Sequence, residues 1–262
     1  MPHIDLDTSS DLNKKTKILC TFGWRMALAG AETRLIMRCC HDMAKAMHVI
    51  NPEFTLTRSF FLVRCCDGNC HYAERIAKIK SLGINMNSVT RLNFIANDVI
   101  SGEITDLDLI YHKIRAVRPA HYNKNMLIPI EAFAAAAFAY CNGGSATVCL
   151  AALIGGFMLM FFKFWLLKKG FFETFVFMAC AFLGCATTYI MCTYVLNASA
   201  EETRLAIMAT TLLLVPGFPY MNGFLDIFKG YLEIGVMRLV YSIILTACAA
   251  SGLLGALYLM WI

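Results

Sequence analysis

From residue 127 onward the sequence consists of long apolar runs separated by short polar breaks. Five runs approach the ~20 residues that a membrane span needs. They cover about 127–144, 146–167, 171–196, 203–225 and 236–261. The first break, Asn142-Gly143-Gly144-Ser145, suits a tight turn between antiparallel helices. Before residue 118 the periodicity is that of a soluble fold. Leu12, Ile18, Leu19 and Phe22 fall on roughly one helical face within 11–29. Leu35, Met37, Cys40, Met43 and Met47 do the same within 31–48. Residues 54–66 are rich in β-branched and aromatic types, Asp67-Gly68-Asn69 is a turn signal, and 70–79 continues as a second strand. That pattern predicts a hairpin. Residues 86–100 and 106–117 predict two further helices, parted by Ser101-Gly102-Glu103, with Asp106 as an N-cap and Pro119 as the end of the domain. The expected architecture is a small α+β domain over 1–118, then an all-α membrane domain over 119–262. That second domain would hold five transmembrane helices, the fourth broken at Pro-Gly-Phe-Pro.

Composition supports the split. Hydrophobic residues make up 58% of the chain and charged residues 16%, against ~45–50% and ~25% in soluble globular chains. Residues 1–118 hold 16 of the 23 Lys and Arg and 12 of the 18 Asp and Glu. This balance excludes a disordered chain, and it excludes a nucleic-acid partner despite the net charge of +5. Residues 1–17 are polar, with no apolar core after a basic start, so a secretory leader is not expected and the first domain is placed in the cytosol. With that domain inside, the second loop is also inside, with Lys163, Lys168 and Lys169, as is the fourth, with Lys229 and Arg238. The third loop, 197–202, has no Lys or Arg before Arg204 and falls outside. The basic residues thus predict a cytosolic N-terminus and an external C-terminus. Phe161, Phe162, Phe164, Trp165, Phe171 and Phe172 read as an aromatic belt at the bilayer interface.

The twelve Cys, six of them in the apolar half, read as small buried side chains. Cys39-Cys40-His41 and Cys65-Cys66 with Cys70-His71 contain ligand types, but adjacent cysteines chelate poorly and no C-x-x-C occurs. No metal site or cofactor is expected. The P-loop, G-x-G-x-x-G, H-E-x-x-H and G-x-S-x-G patterns are absent, which argues against transport driven by ATP on this chain.

The strongest candidate for chemistry is Leu214-Val215-Pro216-Gly217-Phe218-Pro219. Two prolines around a glycine cannot continue a helix. Leu205 to Pro216 spans about 18 Å at ~1.5 Å per residue, so the break falls past the middle of a ~30 Å hydrocarbon core. Backbone freed there must be buried in protein or line a cavity. A half-helix starting near Pro219 would aim free N–H groups at a carboxylate; the plainer alternative is a packing kink. Just beyond it, Asn222, Asp226 and Lys229 repeat at i, i+4 and i+7 and share one face. Ionisable groups at this depth are costly and usually functional, although Lys229, Glu233 and Arg238 would equally suit the inner headgroup region. Glu131 and Glu173 sit near the inner ends of their spans, where an interfacial carboxylate is the simpler reading. Gly30-Ala31-Glu32-Thr33-Arg34 is, on pattern alone, a helix break with an acidic first turn.

Taken in order, these stretches resemble the threonine/serine exporter family. They are most similar to the larger subunit of its two-component form, the succinate-exporter type of enteric inner membranes. The resemblance runs over nearly the whole chain. It rests on Gly30-Ala31-Glu32-Thr33, Gly83-Ile84-Asn85-Met86, Ser101-Gly102-Glu103 and Asn142-Gly143-Gly144. It rests above all on 212–219 followed by Asn222, Asp226, Phe228-Lys229-Gly230, Gly235 and Arg238. It implies a subunit of a secondary exporter in a bacterial inner membrane, not an enzyme. Succinate-like dicarboxylate is the first expectation for substrate and threonine or serine the alternative. Substrate would be bound by Pro216, Gly217, Phe218, Pro219, Asn222 and Asp226. Coupling or gating would involve Glu32, Arg34, Lys229, Arg238 and Glu131. Single-chain members carry about ten spans, so five imply a smaller membrane subunit of about four or five spans; self-assembly into a higher oligomer also fits. Two other classes remain open: a membrane-anchored sensor or enzyme working through 1–118, and a regulatory subunit whose partner holds the substrate.

Overall fold

The computed structural model describes residues 6–66, 71–79, 83–120 and 122–260. The chain folds into two compact units. One comprises Met1–His121 with Met221–Arg238, the other Tyr122–Tyr220 with Leu239–Ile262.

The first unit contains α1 (Leu6–Leu28), α2 (Thr33–Ala46), β1 (Ile50–Leu56), β2 (Phe60–Cys66), β3 (Tyr72–Lys78), α3 (Met86–Ile100) and α4 (Leu107–Ala116). Parts of α9 (Gly217–Phe228) and α10 (Leu232–Met260) belong to it as well. The strands form one antiparallel sheet in the order β1-β2-β3. The single strand expected over 54–66 is in fact two, because the chain turns at Thr57-Arg58-Ser59. There the Thr57 hydroxyl accepts hydrogen bonds from the Ser59 and Phe60 amides, at 3.3 and 3.1 Å. A threonine side chain does here what glycine or proline usually does. The expected turn at Asp67-Gly68-Asn69 lies outside the described residues. β2 and β3 nevertheless pair in the predicted antiparallel sense, from Phe60 opposite Lys78 to Cys66 opposite Tyr72.

Ile18, Leu19, Phe22 and Met26 of α1, Ile36 and Met43 of α2, Phe61 of the sheet, and Leu92, Ile110 and Ile114 of α3 and α4 form the core. Gly23 allows the sheet to approach α1, since a Cβ there would lie 2.1 Å from the Phe61 ring. Asp106 caps α4 as expected, accepting from the amides of Asp108 and Leu109. Asn85 caps α3 through the Ser88 amide.

The second unit contains α5 (Lys124–Cys141), α6 (Ala146–Lys168), α7 (Glu173–Ile190), α8 (Ala200–Thr211) and the remaining parts of α9 and α10. A π turn, Met191–Val195, extends α7. The tighter turn Leu212–Leu214 extends α8. Helices here approach over small residues. A Cβ on Gly155 would overlap the Thr188 hydroxyl, and that hydroxyl lies 3.1 Å from the one on Thr210. Ser199 and Glu202 form a capping box at the start of α8. The Glu202 carboxylate also accepts from Ser145 at the start of α6, at 2.6 Å.

Among the described residues three helices, Ala146–Lys168, Glu173–Val195 and Leu232–Met260, are long and apolar enough to cross a membrane. A fourth span arises if Ala200–Leu214 and Gly217–Phe228, bent by 60°, count as one. The expected span at 127–144 is not among them. It corresponds to α5, whose 18 residues include Lys124, Asn125, Pro129 and Glu131. The last span begins at Leu232, a turn earlier than its apolar run suggests.

Candidate functional site

The interruption of the fourth apolar run follows directly from its sequence. Pro216 disfavours helical geometry in the residue before it, and Val215 is extended, at φ −67° and ψ 121°. The chain restarts as a helix at Gly217, two residues before the expected point. Pro219 then occupies the first turn, where its missing N–H is not needed. Val215, Gly217 and Phe218 are exposed on the chain, and a Cβ at Gly217 would meet nothing within 4 Å. These residues belong to the second unit, up to Tyr220.

One turn later, within the first unit, α9 carries its polar face. Asn222 and Asp226 are buried, at 8% and 0% exposure, and so is Arg238 of α10, at 4%. The predicted i, i+4, i+7 face exists, and its target is the loop between α1 and α2. Asn222 donates its amide to the Gly30 carbonyl at 3.1 Å. The Asp226 carboxylate accepts the Thr33 backbone N–H at 3.2 Å. Lys229 pairs with Glu32 at 2.5 Å. Arg238 pairs with Asp226 at 2.8 Å and donates to the Ala31 carbonyl at 3.3 Å. Every residue of Gly30-Ala31-Glu32-Thr33 is thus held by a polar group of α9, of Lys229 just beyond it, or of α10.

The electrostatics are self-consistent. Thr33 opens α2, so its N–H is one of the helix's unsatisfied donors. Glu32 occupies the N-cap position, but its side chain makes no capping bond; it reaches Lys229 instead. Asp226 supplies the missing acceptor, placing a carboxylate at the positive end of the α2 dipole. Gly30 adopts φ +81°, a conformation glycine tolerates. A Cβ there would also lie 2.5 Å from the Gly83 carbonyl oxygen. Gly83 and Asn85 donate their amides to Leu28 and Ala29. The Gly30 and Gly83 stretches, far apart in sequence, are therefore backbone neighbours.

The other expected positions fall elsewhere. Arg34 is exposed on α2, one residue beyond the held loop. Glu131 is half-buried in α5 of the second unit. Glu173, in that unit too, accepts a short hydrogen bond from the Tyr241 hydroxyl. The stretch Gly30-Ala31-Glu32-Thr33 is marked in the sequence as a helix break, but the pairing of its backbone atoms with Asn222, Asp226 and Arg238 is not. Among the described residues no group of three or more His, Cys, Asp or Glu could hold a metal ion. Burial pushes the thiol of Cys20 up to about 11 and raises those of Cys39, Cys40 and Cys65, so they stay neutral.

Residues 17–260 match the family of threonine/serine exporters (ThrE). The chain belongs to that family. A relative from Klebsiella aerogenes, "Probable succinate transporter subunit YjjP", is 28% identical over 235 residues, 88% of each chain. A protein of the same name from Escherichia coli K12 is 25% identical over 245 residues, 92% of this chain and 93% of the relative. No solved structure matches. With family and apolar helices together, the chain is a membrane protein of a transporter family.

Proposed function

We propose that this chain is one subunit of a secondary-active exporter of small carboxylates, succinate-like dicarboxylates first and threonine or serine as the alternative. The observation that carries the reading is the broken apolar run. It leaves the start of a new helix exposed at Gly217 and Phe218, and further along the same helix it carries Asp226, buried and paired with Arg238. Discontinuous helices of this kind present anion sites in transporters. The names of the relatives support a dicarboxylate and a second subunit. In this reading five segments cross a bacterial inner membrane, α5 included, with 1–118 forming a cytosolic domain. A smaller membrane subunit completes the bundle. A substrate carboxylate is bound at the break, by the start of α9. Asp226 carries the coupling proton: once protonated it loosens its hold on Arg238 and on the Thr33 amide, and the loop 30–33 is freed.

Substrate class is tested by counterflow. Vesicles holding the complex are preloaded with succinate or threonine, and uptake of each labelled compound is followed. Stimulation by succinate alone supports the dicarboxylate assignment, and stimulation by threonine alone moves it to the amino acid. No flux of either, with both subunits folded and inserted, overturns the exporter reading.

A further inference from the structure

A second polar feature of the first unit has no part in the cluster around Asp226. Arg34, Arg38 and His41 follow one another on α2 at i, i+4 and i+7, so they line one face of the helix. That face borders a cleft of about 740 Å³. Its other walls are Phe54–Leu56 of β1 and Gly230–Ile234, where α10 begins. Lys14, Lys15, Arg64, Lys229 and Arg238 all have carboxylate partners. Arg34, Arg38 and His41 form no ion pair among the described residues. The cleft holds one acid, Glu233, against the three basic side chains. His41 is steadied edge-on against Phe54, ring centroids 4.8 Å apart. Met37, Leu56 and Tyr231 add apolar wall between the charges. The volume lies within the ~300–1,000 Å³ of small-molecule sites.

We propose that this cleft is a capture site for a small organic dianion. The two guanidinium groups, spaced one helical turn apart, would hold its two carboxylates, and the apolar wall would hold its carbon chain. A single surface cation solvates readily. A row of them, none in an ion pair and outnumbering the one acid of a walled cleft, is what a flexible diacid needs. The assignment of a dicarboxylate rests on the exporter reading above. Arg34 lies next to Thr33, so occupancy of the cleft bears directly on the loop that Asp226 and Arg238 hold.

The test uses the full chain with its partner subunit in nanodiscs of phosphatidylcholine, with labelled succinate as the probe and equilibrium binding as the readout. Arg38→Glu should weaken binding by at least about tenfold, since charge-assisted hydrogen bonds contribute ~1.5–3 kcal/mol. Arg38→Lys should recover part of it, and Glu233→Gln should leave it equal or tighter. In counterflow, Arg38→Glu should raise KM with little change in maximal rate. Unchanged succinate affinity and unchanged KM in Arg38→Glu would overturn the capture site while leaving the exporter reading intact. Loss of succinate binding when phosphatidylglycerol replaces half of the lipid would also overturn it, marking the row as a headgroup site instead. Conversely, Arg38-dependent succinate binding in a complex that shows no flux would retain the cleft and reject the exporter.

Discussion

Asp226 is the residue on which the first unit turns. It neutralises Arg238 and caps α2 from outside that helix. Removing one partner of a buried ion pair typically costs ~3–5 kcal/mol, because the other charge is left uncompensated. Arg238→Ala should therefore lower the thermal stability of the purified chain sharply, and Asp226→Asn combined with Arg238→Gln should recover much of the loss. Stability unchanged in Arg238→Ala would show that the pair is not buried in the working protein. Asn222→Ala, which orphans the Gly30 carbonyl, should cost ~1–3 kcal/mol by the same assay. The spacing of Asn222, Asp226 and Lys229 is legible in the sequence because a helix face is a local property. Their pairing with the 30–33 stretch is not. Nearly two hundred residues separate Asn222 from Gly30, and a backbone carbonyl has no signature in the sequence.

Elements are legible to the extent that their signals are strong and local. The Pro216–Pro219 break follows from proline chemistry alone. The apolar runs of α6, α7 and α10 stand out by length. The turn at Thr57–Ser59 does not, because it contains no Gly, Pro, Asn or Asp and is closed by a threonine hydroxyl instead. The run that forms α5 has the length of a span, but Lys124 and Glu131 keep it below the apolar character of the others. Replacing both Pro216 and Pro219 with Ala removes the obstacle to a continuous helix, each internal proline disfavouring it by ~3 kcal/mol. The double variant should insert and assemble normally yet lose most counterflow activity. Full activity in a well-folded double variant would reduce the break to a packing kink.

At the scale of the whole molecule, the family match spans both units. The soluble-type α+β elements and the apolar helices are thus parts of one transport protein. The boundary between the units does not follow the change in composition. Residues 221–238, from the apolar half of the sequence, belong to the same unit as 1–121. Counterflow of labelled succinate across a range of pH is the direct test of proton coupling through Asp226. Wild-type complex is compared with Asp226→Asn and with the neutral pair Asp226→Asn/Arg238→Gln, each verified as folded. Exchange should depend on pH in the wild type and lose that dependence, with a slower rate, in both variants. Variants that export at the wild-type rate with the wild-type pH profile would contradict that coupling.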